Sequence, residues 1–283
     1  MKAARISVVV PVRNGRALLP DLIGALETQT LPRDDFEVIV VDDGSEDHPE
    51  ELFDRASRPF RVIRRVGGGN VAAARNTGWT SSTGQIVAFT DADCRPRPDW
   101  LERGVAAVAD SPRVAGRIVI STGDPPTYTE RLDRSRFLRQ ERYVREGFGA
   151  TANLFVRREV LTSAGGFDER LSKYEEDAEI GRRAASFGFA IAYRDDVVVE
   201  HPSRRSPRQL LEKAIGVGYG CGRSVALHGT SLRSLTARGI DRVGLASQTN
   251  SASMEPSLAI GHLALAAATA TGAVWGYFSA RRR

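Results

Sequence analysis

Lysine is nearly missing from this 283-residue chain: of its 40 basic side chains only Lys2, Lys173 and Lys213 are not arginine. The formal net charge of +5 is too mild over this length to argue for nucleic acid, which is not an expected partner. Cysteine is equally scarce. Cys94 and Cys221 are too few for a disulfide framework and lack the spacing of a metal site, which fits a reducing compartment. No signal-peptide pattern precedes Ile6, so the bulk of the chain is expected to stay in the cytoplasm. The Gly-x-Gly-x-x-Gly turn of dinucleotide-binding dehydrogenases is missing too. Pro11-Val12-Arg13-Asn14-Gly15 stands where it belongs, and Gly67-Gly68-Gly69-Asn70 comes too late. Nor does a glycine-rich basic loop, expected of a sugar-phosphate nucleotidyltransferase, lie near the start.

What is present is a core-forming composition, 41% apolar and 27% charged. Ile6 to Val12 is a continuous apolar run of buried-strand length, and Leu19, Leu22, Ile23 and Leu26 follow it with a helical period. Phe36 to Val41, Phe60 to Ile63 and Ile86 to Thr90 predict three more strands, with a helix through Ala72 to Ala74. Strands separated by short helices predict a mainly parallel sheet covered on both faces. Further on, strands are expected at Val114 to Ser121, Ala150 to Val156 and Val197 to Glu200. Helices are expected around Thr129 to Glu146, from Arg158 to Gly165-Gly166, and from Glu175 to Phe187.

Three acidic clusters fall at element ends. Asp91-Ala92-Asp93 closes the Ile86 strand, at the strand edge where open α/β sheets bind ligands. Two carboxylates placed there repel each other unless a cation lies between them, and hard oxygen ligands suit Mg²⁺ or Mn²⁺. Asp42-Asp43 closes the second strand, where Asp-Gly-Ser is also ordinary turn chemistry. Glu175-Glu176-Asp177 opens a helix, where acidic residues also offset the helix dipole.

With these clusters in order, the chain resembles family 2 glycosyltransferases between Ile6 and about His201. The blocks that carry the resemblance are Val8-Val9-Val10-Pro11-Val12-Arg13-Asn14, Val40-Val41-Asp42-Asp43-Gly44-Ser45, Ala74-Arg75-Asn76-Thr77-Gly78, Asp91-Ala92-Asp93, Gly165-Gly166-Phe167-Asp168-Glu169 and Glu176-Asp177. The resemblance implies a GT-A fold, an α/β architecture with a Rossmann-like, mainly parallel sheet. It also implies inverting transfer of a sugar from a nucleotide-sugar donor, with UDP as the expected nucleotide. Pro11, Val12 and Arg13 would line the nucleotide pocket, Asp43 would accept a hydrogen bond from the base, and Arg75, Asp91 and Ala92 would lie on the donor side. Asp93 and Asp91, with His201, would hold a divalent cation, Mn²⁺ or Mg²⁺. Asp177 would be the general base, and Gly166, Phe167, Asp168 and Glu176 would shape the acceptor side. The Gln-x-x-Arg-Trp motif of processive synthases does not follow Asp177, which favours one sugar per encounter. The rival reading is a membrane-tethered nucleotide-sugar-binding protein without turnover.

The end of the chain reads as a separate object. Ser257 to Ala280 holds no Asp, Glu, Lys or Arg, and Arg281-Arg282-Arg283 closes it. About 20 apolar residues span a bilayer core. Arg204, Arg205, Arg208, Arg223, Arg233, Arg238 and Arg242 upstream suit an anionic membrane face. The expected organisation is a transferase domain over 1–228, with a nucleotide-binding part at 1–110 and an acceptor part at 111–228. A polar linker at 229–256 and a membrane-associating helical extension at 257–283 follow. The protein is expected at the inner face of the plasma membrane, acting on a sugar, a lipid-linked acceptor or a small molecule.

Overall fold

Strand β1 (Ile6–Val12) alternates its side chains between two hydrophobic layers. Ile6, Val8, Val10 and Val12 meet Leu19, Leu22 and Leu26 of helix α1 (Leu19–Glu27) and Trp100, Leu101 and Val105 of α3 (Trp100–Asp110). Val9 joins the opposite layer with Phe89, Leu154 and Val156, closed by Val160 and Leu161 of α6 (Arg158–Ala164) and Ile180 and Ala184 of α7 (Glu176–Ser186). Each Val, Leu, Ile or Phe among them, fully buried, contributes about 1.5–3 kcal/mol. A computed structural model describes residues 5–55, 60–228 and 256–281.

The sheet has eight strands in the order β3-β2-β1-β4-β7-β6-β8-β5. The remaining strands are β2 (Phe36–Asp42), β3 (Arg61–Arg64), β4 (Ile86–Phe89), β5 (Arg95–Pro96), β6 (Arg113–Ser121), β7 (Leu154–Arg157) and β8 (Ile191–Pro202). Strands β3, β2, β1 and β4 are parallel, as the βα alternation implies. Beyond β4 the sheet turns mixed: β7 runs antiparallel to β4 and to β6, and β5 antiparallel to β8. Apolar runs mark a strand but not its direction, so this half was legible only as strand content. Helix α2 (Val71–Thr80) packs closely on β1 and β2, because a Cβ on Gly78 would overlap Val9 and crowd Val41.

Two expected elements are divided. The single helix around Thr129 to Glu146 is instead α4 (Tyr128–Arg136) and α5 (Gln140–Arg145), parted where Leu138 takes a positive φ of 56°. The strand expected from Ala150 starts with a 3-10 turn over Thr151–Asn153. There Asn153 is fully buried, donating to the carbonyls of Arg117 and Val197 and accepting from the Trp100 indole at 2.9 Å.

The described residues fall into two compact units, one drawn from 1–120, 139–172 and 176–202, the other from 121–138, 173–175 and 203–283. The second holds α4, α8 (Pro207–Leu227) and α9 (Pro256–Arg281). Its core is Leu132, Phe137, Leu210, Ala214 and Leu265. Thr127 and Glu130 form a reciprocal capping box on α4. Tyr174 seats against Gly216 and Gly220 of α8, with Lys173 and Lys213 over its ring. The expected linker lies outside the described residues, save Pro256, which begins α9.

Candidate active site

The carboxyl ends of β1 and β2 are stapled loop to loop. Asn14, at φ 49°, donates its backbone N–H to the Ser45 hydroxyl at 3.0 Å and accepts the Glu46 N–H at 2.9 Å. Asparagine tolerates this left-handed backbone better than most residues. Asp42 serves the turn, accepting the Ser45 N–H at 2.8 Å. Asp43 faces the other way and is buried, accepting the Asn70 N–H at 2.7 Å and pairing with Arg65. Gly68 makes this approach possible, since a Cβ there would overlap the Asp43 carbonyl. Arg13 is exposed, and a Cβ on Gly69 would come within 2.5 Å of its guanidinium. Ala92 lies across from the Gly15 turn.

Beyond β4, the Asp-x-Asp segment meets the end of β8. Strand β5 pairs Arg95 with Glu200 and Pro96 with Val199, which draws the residues just before β5 toward His201. The result is a trio, Asp91, Asp93 and His201, whose ligand atoms all lie within 4.8 Å of one another. His201 Nε2 is 3.6 Å from Asp93 Oδ2. Its Nδ1 lies 2.8 Å from the Pro202 carbonyl, the arrangement in which Nδ1–H donates and Nε2 keeps a lone pair for a cation. Two carboxylates and one imidazole form a donor set that suits Mn²⁺ and accepts Mg²⁺, so the residues fit the group they were expected to hold. Cys94 follows directly, fully buried, its thiol pushed well above the ordinary value by burial and by Asp91 and Asp93.

Arg75 joins the cation side to the α7 side. It is buried on α2, donating from Nη1 to Glu176 at 2.7 Å and from Nη2 to Asp91 at 3.1 Å. Burial pulls its pKa down, but Asp91, Glu176 and Asp177 outweigh that and hold it above the ordinary arginine value. The expectation that Arg75 approaches a phosphate meets a guanidinium already spanning two carboxylates. The second Glu176 oxygen, Oε2, is buried without a hydrogen-bond partner. Asp177 stands beside it on the first turn of α7, half-buried, with Oδ1 accepting the Ala178 N–H at 2.7 Å. The preceding residue, Glu175, takes φ 74°, a conformation that costs a non-glycine residue about 1–3 kcal/mol and clusters at functional sites.

The Gly166-Phe167-Asp168 turn is held by a residue that sequence reasoning quoted but gave no role. Asn76 accepts the Phe167 N–H at 2.8 Å and donates to the Phe167 carbonyl and to Glu169, both at 2.9 Å. Gly166, at φ 72°, leaves room, since a Cβ would come within 2.7 Å of Asn76 Oδ1. Phe167 lies in the core, edge-on to Phe89 with centroids 5.3 Å apart, and Asp168 pairs with Arg170 at 2.7 Å. Asn76 follows the one arginine in an otherwise small-residue helix start. A polar amide at that inward position was the available signal.

Comparison with known proteins identifies the family and the fold. Residues 7–163 match the model of glycosyl transferase family 2, and residues 86–276 that of glycosyl transferase family group 2. Glycosyltransferase AglE of Haloferax volcanii is 33% identical over 238 residues, covering 82% of this chain and 78% of that protein. The pre-mycofactocin glycosyltransferase of Mycobacterium tuberculosis is 31% identical over 218 residues, covering 74% of this chain and 45% of the other. Among solved structures, the mannosyltransferase PcManGT of Pyrobaculum calidifontis, in complex with GDP-Man and Mn²⁺, superposes with a TM-score of 0.67 at 20% identity, covering 99% of this chain and 88% of that one. S. aureus TarS 1–349 in complex with UDP-GlcNAc gives 0.58 at 16%, covering 98% and 90%. These likenesses establish the GT-A fold. With the family model matched over more than half its length and a relative matched over most of it, the chain belongs to glycosyl transferase family 2 and is a glycosyltransferase.

Proposed function

We propose that the protein transfers one sugar, with inversion, from a nucleoside-diphosphate sugar to an acceptor hydroxyl, with Asp177 as general base and the donor diphosphate on a divalent cation held by Asp91, Asp93 and His201. The observation that carries this reading is the convergence of that trio within 4.8 Å, tied through Arg75 to the helix that bears Asp177. Asp43, oriented by Asn70 and Arg65, keeps a buried acceptor for the base, for which uracil is the expected choice. When bound, the cation supplies Lewis acidity that offsets the charge left on the departing phosphate. Asp177 takes the acceptor proton as the oxygen attacks, and Glu176 offers Oε2 to a sugar hydroxyl. One base and one cation serve a single in-line displacement, whereas glycoside hydrolysis calls for two carboxyl groups flanking the bond.

We place the protein at the inner face of the cytoplasmic membrane, supported by the charge-free stretch Ser257 to Ala280 of α9 and the arginines before it. A membrane-proximal, lipid-linked acceptor follows from that position. Titration calorimetry with UDP, GDP and dTDP, each with and without Mn²⁺, tests the donor side. Binding is expected to depend on Mn²⁺ and to be lost with it in Asp93→Ala. Equal wild-type affinity in both conditions removes the cation from the reading.

A further inference from the structure

Helices α8 and α9 touch backbone to backbone. A Cβ on Gly218 or Gly222 of α8 would overlap the carbonyls of Thr269 and Ala273, and one on Gly272 or Gly276 of α9 would overlap those of Ile215 and Tyr219. Paired Gly-x-x-x-Gly segments allow this closeness. The contacts advance together: Gly218 meets Thr269 and, one turn on, Gly222 meets Ala273; Ile215 and Tyr219 meet Gly272 and Gly276 in the same sense. The two helices therefore run parallel and begin at the same end of the pair.

Burial along α9 follows the helical period. His262, Leu265, Thr269, Ala273 and Tyr277 are buried, while Ile260, Leu263, Val274, Trp275 and Phe278 are exposed by 70%, 55%, 52%, 62% and 52%. The outward side has no charged residue until Arg281, and the sequence ends Arg281-Arg282-Arg283. We infer that this face is the contact surface for an anionic lipid bilayer, on which the α8–α9 pair lies in the interface without crossing. The inference rests on the membrane reading given for the function and settles the orientation it leaves open.

Length and composition alone allow α9 to cross, for the most apolar 18-residue window within Ile260–Arg281 reaches a mean hydropathy of 1.2. The pairing forbids it. Crossing by α9 would carry α8 across in the same direction, taking Arg208, Glu212, Lys213 and Arg223 to bilayer depth. Residues 229–255 would then have to cross back, and their longest charge-free stretch is the twelve residues 243–254, rich in Ser, Thr, Asn and Gln, where a span needs about 20 apolar ones. An interfacial position meets neither cost. It buries the apolar face to headgroup depth, sets Trp275 and Phe278 near the polar boundary, and brings Arg281 to anionic headgroups.

The test uses the full chain, with an epitope after Arg283, added to phosphatidylcholine vesicles with and without phosphatidylglycerol. Flotation is expected to rise with phosphatidylglycerol and fall with salt. Leu263→Ser with Phe278→Ser should weaken it at least about tenfold. Both side chains are exposed, so circular dichroism and UDP binding should be unchanged. Externally added protease should remove the epitope completely, and alkaline carbonate should release the protein. A protected epitope or carbonate resistance overturns the interfacial position while leaving membrane attachment standing. Absence of vesicle binding overturns both. A dimer in solution that the double variant dissolves, without vesicle binding, assigns the face to a second copy and overturns the inference.

Discussion

Asp177 and Glu176 are adjacent carboxylates with different surroundings, and the roles proposed for them rest on that difference. Glu176 is buried and fixed by Arg75, whereas Asp177 is half-buried and accepts the Ala178 N–H, in the first turn of its own helix, with one oxygen. A proton acceptor has to meet the acceptor hydroxyl, which favours Asp177. Asp177→Asn should keep shape and donor affinity while lowering kcat by about 10²–10⁴-fold, the usual worth of general base catalysis. Calorimetry of UDP with Mn²⁺ and steady-state transfer assays separate the two effects. Glu176→Gln weakens the Arg75 ion pair instead, so its loss should reach donor affinity as well as turnover. An Asn variant with full activity would move the base to another residue.

Among elements, the α8–α9 contact is the most sensitive to a single atom. Gly222→Leu should cost about 1–3 kcal/mol by overpacking, read as a lower Tm in calorimetry, while Mn²⁺-dependent UDP binding persists. Nothing in the apolar pattern of the tail announced this contact. Sequence reading judged α9 by its lack of charge, but the pairing depends on where small residues recur in two helices distant along the chain, which periodicity within one segment does not show. The first four strands were more legible. The Ile6, Phe36, Phe60 and Ile86 runs each became a strand within a residue or two, the three inner ones because buried parallel strands are largely apolar and the edge strand β3 through its Val62-Ile63 pair. The site was legible as positions and less so as partnerships. Asp91, Asp93 and His201 do converge, as their strand ends implied. That Arg75 would span Asp91 and Glu176, and that Asn76 would clasp the Phe167 turn, required knowing which way α2 faces.

At the scale of the molecule, acid stability should be governed in part by the α4 region. Backbone N–H groups of Thr127 and then Gly123 hold the Glu130 carboxyl at about 2, down from 4.5, although the side chain is buried. A depressed carboxyl stabilises the fold fully above its ordinary pKa and loses that contribution as pH falls through the folded value. Thermal melts of the wild type and Glu130→Gln should therefore differ by a constant amount above about pH 5 and converge toward about pH 2. Equal separation at every pH would remove Glu130 as the titrating group. The two buried thiols have a consequence of a different kind. Cys94 sits in the first compact unit beside the acidic trio, and Cys221 packs with Val225, Ala273 and Tyr277 in the second. Neither is open to a reagent in the closed fold, so alkylation of each must wait for its own surroundings to part. The chain thus carries two built-in clocks, one per unit. Their relative rates, with and without donor and Mn²⁺, would time the opening of the transfer site separately from the parting of the helix pair.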